Sequence, residues 1–308
     1  MRTANPRSRA LLTGLVAALA ACREPAPVVD EATRSFRLQV ENVIARPIDG
    51  AVPSAAAVRD GLATAAARRA SFQADAAAAT LVTDVAVGEV ESAAGGRILR
   101  VEFTAAVPDG LQALLGAELD ATIELERNDG TLSAAEDLPV ALARGVGVLD
   151  AKLQLATGAM AQAKALLDDE DPEIVVLALE HIARKRWRSL AADVAARLPA
   201  ADERVAAAAI EALGAVGGPE HTATLLRNTR LADRDQAERL YEALATLGGD
   251  QARGFLEFAA RNEDDPSLAE VAQRALRRLQ GAGEPLGEVV AESAAEEPEG
   301  RGLRGHRP

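Results

Sequence analysis

From Ser35 onward, apolar and polar side chains alternate. Phe36, Leu38 and Val40, followed by Val43 and Ile44, predict a strand over residues 35–44. Pro47, Asp49, Gly50 and Pro53 then mark a loop. Ser54 is placed to cap a helix reaching to about Ser71, with Val58, Leu62, Ala65 and Ala66 on one face. Alternation returns over residues 80–90 through Leu81, Val85 and Val87, and Gly95-Gly96 turns the chain. Two more strands are expected over 98–107 and 119–125, the second with Ile123 at its centre. After the turn Asn128-Asp129-Gly130, a helix is expected from Glu136 to Ala156. The order strand, helix, three strands, helix predicts an α+β domain over residues 35–156, with helices covering one face of a small, mostly antiparallel sheet.

Past residue 157 the period changes from two to helical, and the pattern repeats. Asp171, Asp202, Asp233 and Asp265 recur at steps of 31, 31 and 32, each ahead of an apolar helix. Asp171-Pro172 and Asp265-Pro266 read as an N-cap with proline in the first helical position, where its missing N–H does no harm. Ile182, Leu213, Leu244 and Leu276 keep the same steps, and Gly217-Gly218 and Gly248-Gly249 end two of the helices. One period therefore holds two short helices that cannot bury an apolar face alone and must stack on their neighbours. The segments DPEIVVLALEHIARK, DERVAAAAIEALGAVGG and DPSLAEVAQRALRRLQG resemble HEAT repeats of the short bacterial kind first named from phycobilin lyases. That resemblance implies an all-α solenoid over residues 157–280. Residues 281–308, made mainly of Gly, Pro, Glu and Arg, read as a disordered tail.

The earlier domain carries a second resemblance. Val58-Arg59-Asp60-Gly61-Leu62 leading to Phe72, then Ala77-Ala78-Ala79-Thr80-Leu81-Val82-Thr83-Asp84-Val85, is similar to the TolB amino-terminal domain and to related CsgG-like and penicillin-binding-protein-activator lipoprotein domains. It covers about a third of the chain. It implies a small domain of the cell envelope and, by analogy with the activators, regulation of an envelope enzyme such as a peptidoglycan synthase.

The first residues read as an address. Arg2, Arg7 and Arg9 precede an uncharged run from Ala10 to Ala21, the length of a signal h-region and short of the roughly 20 apolar residues a membrane span needs. Leu19-Ala20-Ala21-Cys22 resembles the lipobox of bacterial lipoproteins. It implies removal of a signal peptide, 1–21, and acylation of Cys22. Two or more acyl chains anchor stably, at about 0.8 kcal/mol per buried CH₂. Residues 22–34 are then a lipidated tether, rich in proline and charge. Arg23 after the cysteine, by the sorting rule of enterobacterial lipoproteins, implies passage to the outer membrane, facing the periplasm.

Composition narrows the chemistry. Cys22 is the only cysteine, so no intramolecular disulfide forms. Without residues 1–21 the chain holds 31 basic against 47 acidic side chains, which repels phosphate backbones and makes nucleic acid an unsuitable partner. His181, His221 and His306 stand apart from any metal-ligand spacing. No GxSxG elbow and no phosphate loop is present. Gly145-Val146-Gly147 lacks the third glycine of a dinucleotide site and reads as helix-packing glycine. No catalytic residue, no metal and no cofactor is expected, and the chain reads as a non-enzyme.

Two features are candidates for partner binding. Glu180, Glu211 and Glu242 stand one period apart, with Gln273 continuing the step, each behind a core position; they read as an outward acidic column or as a solvated face copied with the repeat. Arg184-Lys185-Arg186-Trp187-Arg188 ends a helix and holds the only tryptophan; Arg184 and Trp187 read as a binding hot spot or as a capping turn. The expected function is a membrane-anchored envelope scaffold or adaptor for protein partners. The alternatives are the enzyme regulator named above and, from another class, a lyase-like factor or uncharacterised enzyme, which an exported chain contradicts because bilin lyases act in the cytoplasm.

Overall fold

A computed structural model describes residues 35–72, 78–93, 95–127 and 131–283. The signal segment, Cys22, the tether, His306 and residues 284–308 lie outside the described residues. The chain forms two compact units that part between Asp193 and Val194.

The first unit is built on a four-stranded mixed sheet in the order β1-β2-β3-β4. Strand β1 (Phe36–Ala45) runs parallel to β2 (Ala79–Glu91), with helix α1 (Ala55–Ala66) between them in sequence. Strands β3 (Arg97–Ala106) and β4 (Glu118–Glu126) then follow as antiparallel neighbours, with the short helix α2 (Gln112–Leu115) between them. The alternation read from the sequence is obeyed: Leu99, Val101, Phe103 and Ala105 are buried while Glu102, Thr104 and Ala106 are exposed. The loop after β1 closes as a tight turn, with Asp49 at φ 49° and Gly50 at φ 76°. Ser54 caps α1 by accepting the Ala57 N–H at 3.1 Å, as its position predicts, but the helix stops at Ala66 rather than at Ser71.

Helix α3 (Ala134–Thr157) lies on the sheet and on α1. Gly145 makes this possible: a Cβ there would sit 2.0 Å from Phe103 Cε2, so the ring packs directly on the helix backbone. A Cβ on Gly61 would likewise meet Leu142 Cδ1 at 2.8 Å. Two buried carboxylates on α3 are fully bonded. Asp137 accepts the Arg127 Nε–H at 2.8 Å and the Ser133 N–H at 2.7 Å. Asp150 accepts the Ser71 N–H at 3.0 Å and a Gln154 side-chain N–H at 2.8 Å, tying the chain after α1 to α3.

Helices α4 (Met160–Leu166) and α5 (Pro172–Lys185) also pack with α3 in this unit. Arg144 on α3 holds the α5 N-cap, Asp171, with two bonds of 2.8 and 3.1 Å. The first helices beyond residue 157 thus belong to the same compact unit as the sheet. Helix α6 (Ala191–Ala195) spans the division.

The second unit is helical throughout its described residues: α7 (Glu203–Val216), α8 (Thr222–Asn228), α9 (Arg234–Leu247), α10 (Gly249–Asn262) and α11 (Pro266–Gly283). Helix α11 continues through residues 281–283, into the stretch read as tail. Helix α9 packs against both α7 and α11, and α10 against both α9 and α11. The repeated aspartates are N-caps. Asp171 accepts the Glu173 N–H at 3.1 Å, Asp202 the Arg204 N–H at 2.9 Å, Asp233 the Asp235 N–H at 3.0 Å and Asp265 the Ser267 N–H at 2.8 Å. Ser267 donates to Asp265 through both its hydroxyl and its amide, which lowers the Asp265 pKa. Gly248 and Gly249, at φ 75° and 86°, take a left-handed backbone that turns α9 into α10. Gly217 instead sits at φ −76°, so the earlier glycine pair ends its helix without a left-handed residue. No helix among the described residues is long and apolar enough to cross a membrane.

Candidate functional site

The tryptophan turn is a helix terminator before it is anything else. Arg186 adopts the left-handed conformation at φ 53°, ψ 44°, and Trp187 N–H closes the motif on the Ile182 carbonyl at 3.2 Å. The indole is half-buried, its ring 5.4 Å from the ring of His181 at 57°. His181 is 6% exposed. Its pKa is pushed down to about 4 by burial and then by Arg184 and Lys185, so the imidazole is neutral at pH 7. Arg184 Nη2 lies 3.3 Å from His181 Nδ1. A guanidinium only donates, so Nδ1 accepts and the proton sits on Nε2, which is buried without a hydrogen-bond partner among the described residues. Arg184 is thus engaged with the ring beneath Trp187, while Lys185, Arg186 and Arg188 face solvent beside the negative end of the α5 dipole.

The glutamate column does not stand as a bare acidic stripe. Glu211 on α7 receives Arg239 Nε from α9 at 2.8 Å. Glu242 on α9 receives Arg278 Nη2 from α11 at 2.5 Å, and the same guanidinium also bonds the Glu242 carbonyl at 3.1 Å. Each of these glutamates is neutralised by the next helix of its own packed series. These half-exposed pairs are worth about 0.2–1 kcal/mol apiece. Glu180 is exposed on α5 in the first unit, and Gln273 is exposed on α11.

A groove that the sequence pattern did not single out lies between β1 and α1. It encloses about 320 Å³ and is lined on the strand side by Phe36, Leu38 and Val40 and on the helix side by Leu62, Ala63 and Ala66. The described charged residues lining it are Arg37 and Arg59. Among the described residues β1 is an edge strand of the four-stranded sheet, and its Phe36 N–H bonds the Ser71 carbonyl at 2.8 Å. The opposite edge, β4, carries Glu118, Asp120, Glu124 and Glu126 within nine residues, a charge density that repels a further strand. Neither the position of β1 at an edge nor the opening beside α1 can be read from alternation, because alternation fixes faces and not strand order.

The remaining polar features have structural partners. His221 Nδ1 accepts the Gly218 N–H at 3.3 Å and closes the turn before α8. Tyr241 donates its hydroxyl to Glu263 at 2.5 Å, joining α9 to the turn after α10; burial and then this carboxylate raise the phenol's pKa. Gly145 is the packing glycine read from the sequence, and Gly147 lets the Arg69 guanidinium approach, since a Cβ there would be 2.6 Å from its Nη2. No group of three or more His, Cys, Asp or Glu side chains able to hold a metal occurs among the described residues.

Comparison with known protein families, with characterised proteins and with solved structures finds no match for this chain.

Proposed function

We propose that this chain is a lipid-anchored envelope protein that works as a scaffold for protein partners, held through Cys22 at the periplasmic face of the outer membrane, with residues 157–280 as a HEAT-like solenoid. The observation that carries the reading is the cap series. Asp171, Asp202, Asp233 and Asp265 each close the start of a helix at the sequence period, and α7, α9 and α11 pack in succession. A stack of that kind offers an extended surface rather than a pocket, which suits protein binding. Phe258, 63% exposed on α10, is an aromatic of the kind that anchors such contacts. The lipobox resemblance of Leu19 to Cys22 supplies the anchor.

The experiment has two arms. A photo-crosslinking amino acid replaces Phe258 in the full chain inside cells, and the adducts are identified by mass spectrometry. Discrete adducts with envelope proteins support the scaffold; none, at a site this exposed, counts against it. Metabolic labelling with a fatty-acid analogue reads the anchor separately. Label should be lost in Cys22→Ser, and undiminished label in that variant removes the lipoprotein reading.

A further inference from the structure

We propose that the tryptophan turn, Lys185 to Arg188, docks an acidic protein segment that carries an apolar side chain among its carboxylates; this rests on the protein-binding reading above and names the class of partner. The repeat supplies the first argument. Arg186 closes α5, and at steps of 31 the same position is held by Gly217, which closes α7, and by Gly248, which closes α9. Trp187 likewise stands where Gly218 and Gly249 stand. Gly248 reaches φ 75° without a Cβ, whereas Arg186 holds φ 53° with one, in a region that glycine enters freely and other residues rarely adopt. Ending a helix therefore needs neither the guanidinium nor the indole. Arg186 is exposed and the indole is only half-buried, so both are offered to something outside.

Charge supplies the second argument. Arg184, Lys185, Arg186 and Arg188 put four cations in five residues, a density reached nowhere else among the described residues of a chain with net charge −13. Arg184 is engaged with His181. Lys185, Arg186 and Arg188 are exposed and make no ion pair with a described residue. The nearest acids along the chain are Glu180, one turn before Arg184, and Asp193, which Lys164 already pairs at 2.8 Å. The backbone is fixed, with Arg188 N–H on the Arg186 carbonyl at 2.9 Å and Leu190 N–H on the Trp187 carbonyl at 3.0 Å. Met160, 38% exposed, accepts the Ser189 hydroxyl on its Sδ at 3.0 Å and adds apolar surface to the same turn. Guanidinium groups meet carboxylates with two parallel N–H donors, and Trp and Arg dominate many protein interfaces. An anionic bilayer would face every charge on one side of so acidic a chain, whereas a narrow acidic segment meets the turn alone, which favours the segment.

Trp187 is the only tryptophan, so its fluorescence reports this turn alone. The full chain carrying Cys22→Ser, which cannot be acylated there, is titrated with acetyl-Glu-Asp-Leu-Glu-Asp-amide and with acetyl-Lys-Lys-Leu-Lys-Lys-amide. The acidic peptide should shift the emission to the blue as its leucine covers the indole, and should bind about tenfold or more tightly than the basic one. Arg188→Glu should weaken it about tenfold or more with unchanged melting temperature. Arg186→Gly installs the residue that the next two repeats carry. It should keep or raise the melting temperature and still weaken the acidic peptide about threefold or more. No response to the acidic peptide, equal binding of both peptides, or unaltered binding in both variants overturns the proposal. A lowered melting temperature in Arg186→Gly overturns it too, by making the arginine a structural part. A response to phosphatidylglycerol vesicles and none to the acidic peptide assigns the turn to a lipid surface instead. A dimer in sedimentation that Arg188→Glu breaks, without peptide binding, assigns it to a second copy. Adducts at position 258 without peptide binding remove the turn as a docking site and leave the scaffold standing.

Discussion

In residues 35–193, α3 owes its place to partners far away in the chain: Gly145 lies on Phe103, Asp150 bonds Ser71 and Arg144 bonds Asp171. In residues 194–283, α7, α9 and α11 are each started by an aspartate two residues from the amide it caps, and α9 packs against both of the others. The first unit therefore depends on a few long-range contacts that must all form together. The second is held by many small terms, each local and repeated. Loop closure makes the first kind of contact slow to form, while packing between helices close in sequence confines the loss of any one term to a short stretch.

The sharpest test of that contrast is Gly145→Val. The new Cβ would fall 2.0 Å from Phe103 Cε2 and 2.4 Å from Cζ, and neither a helix backbone nor a ring in the middle of a sheet can yield that far. The expected loss is about 4 kcal/mol or more, beyond the usual cost of overpacking. Hydrogen exchange should show β2 and β3 losing protection while α9 keeps it. Equal loss in both units would mean that they fold as one, and the contrast would fail.

Acid should act on the same side of the division. Buried His181 has its pKa lowered from the ordinary 6.5 to about 4. An unfolded chain binds that proton near pH 6.5 and the folded one only near pH 4, so stability falls as pH drops through this window. The loss attributable to His181 should approach about 2–3 kcal/mol by pH 4. His181→Leu should flatten the dependence between pH 6.5 and 5, above the range where carboxylates titrate. The same variant removes an imidazole N–H that is buried without a partner, so it should not destabilise the fold at pH 7 beyond the loss of the Trp187 contact. A pH profile identical to the parent would assign the acid sensitivity elsewhere.

Most of the architecture was legible because it is written in local periods. Phe36-Leu38-Val40 and Leu99-Val101-Phe103 announce strands, and the four aspartates announce helix starts. Gly145 was legible as packing glycine, although which ring it admits was not. Three things could not be read. The parallel pairing of β1 with β2 depends on how α1 crosses over, which alternation does not encode. The division at Asp193 rather than near residue 156 depends on Arg144 reaching Asp171 and on α4 and α5 burying apolar side chains with α3, although α5 carries the repeat pattern. The ion pairing of Glu211 and Glu242 depends on Arg239 and Arg278, which sit outside the 31-residue register that made the column visible.

The smallest expected effect is the most exacting for the second unit. Asp233→Ala removes the acceptor for the Asp235 and Gln236 amides and should cost about 1 kcal/mol. Asp202→Ala removes the acceptor for the Arg204 and Val205 amides and should cost about the same. Each aspartate bonds amides in the first turn of its own helix. The double variant should therefore lose the sum of the two, within about 0.5 kcal/mol. Asp265 differs, because Arg234 at the start of α9 reaches across to it at 3.3 Å and to the Ser267 hydroxyl at 2.8 Å. Asp265→Ala should accordingly lose less once Arg234 is already alanine, and a double-mutant cycle by chemical denaturation measures that coupling. If Asp202 and Asp233 couple as strongly as Arg234 and Asp265 do, the caps communicate along the stack. The second unit would then share the all-together character of the first.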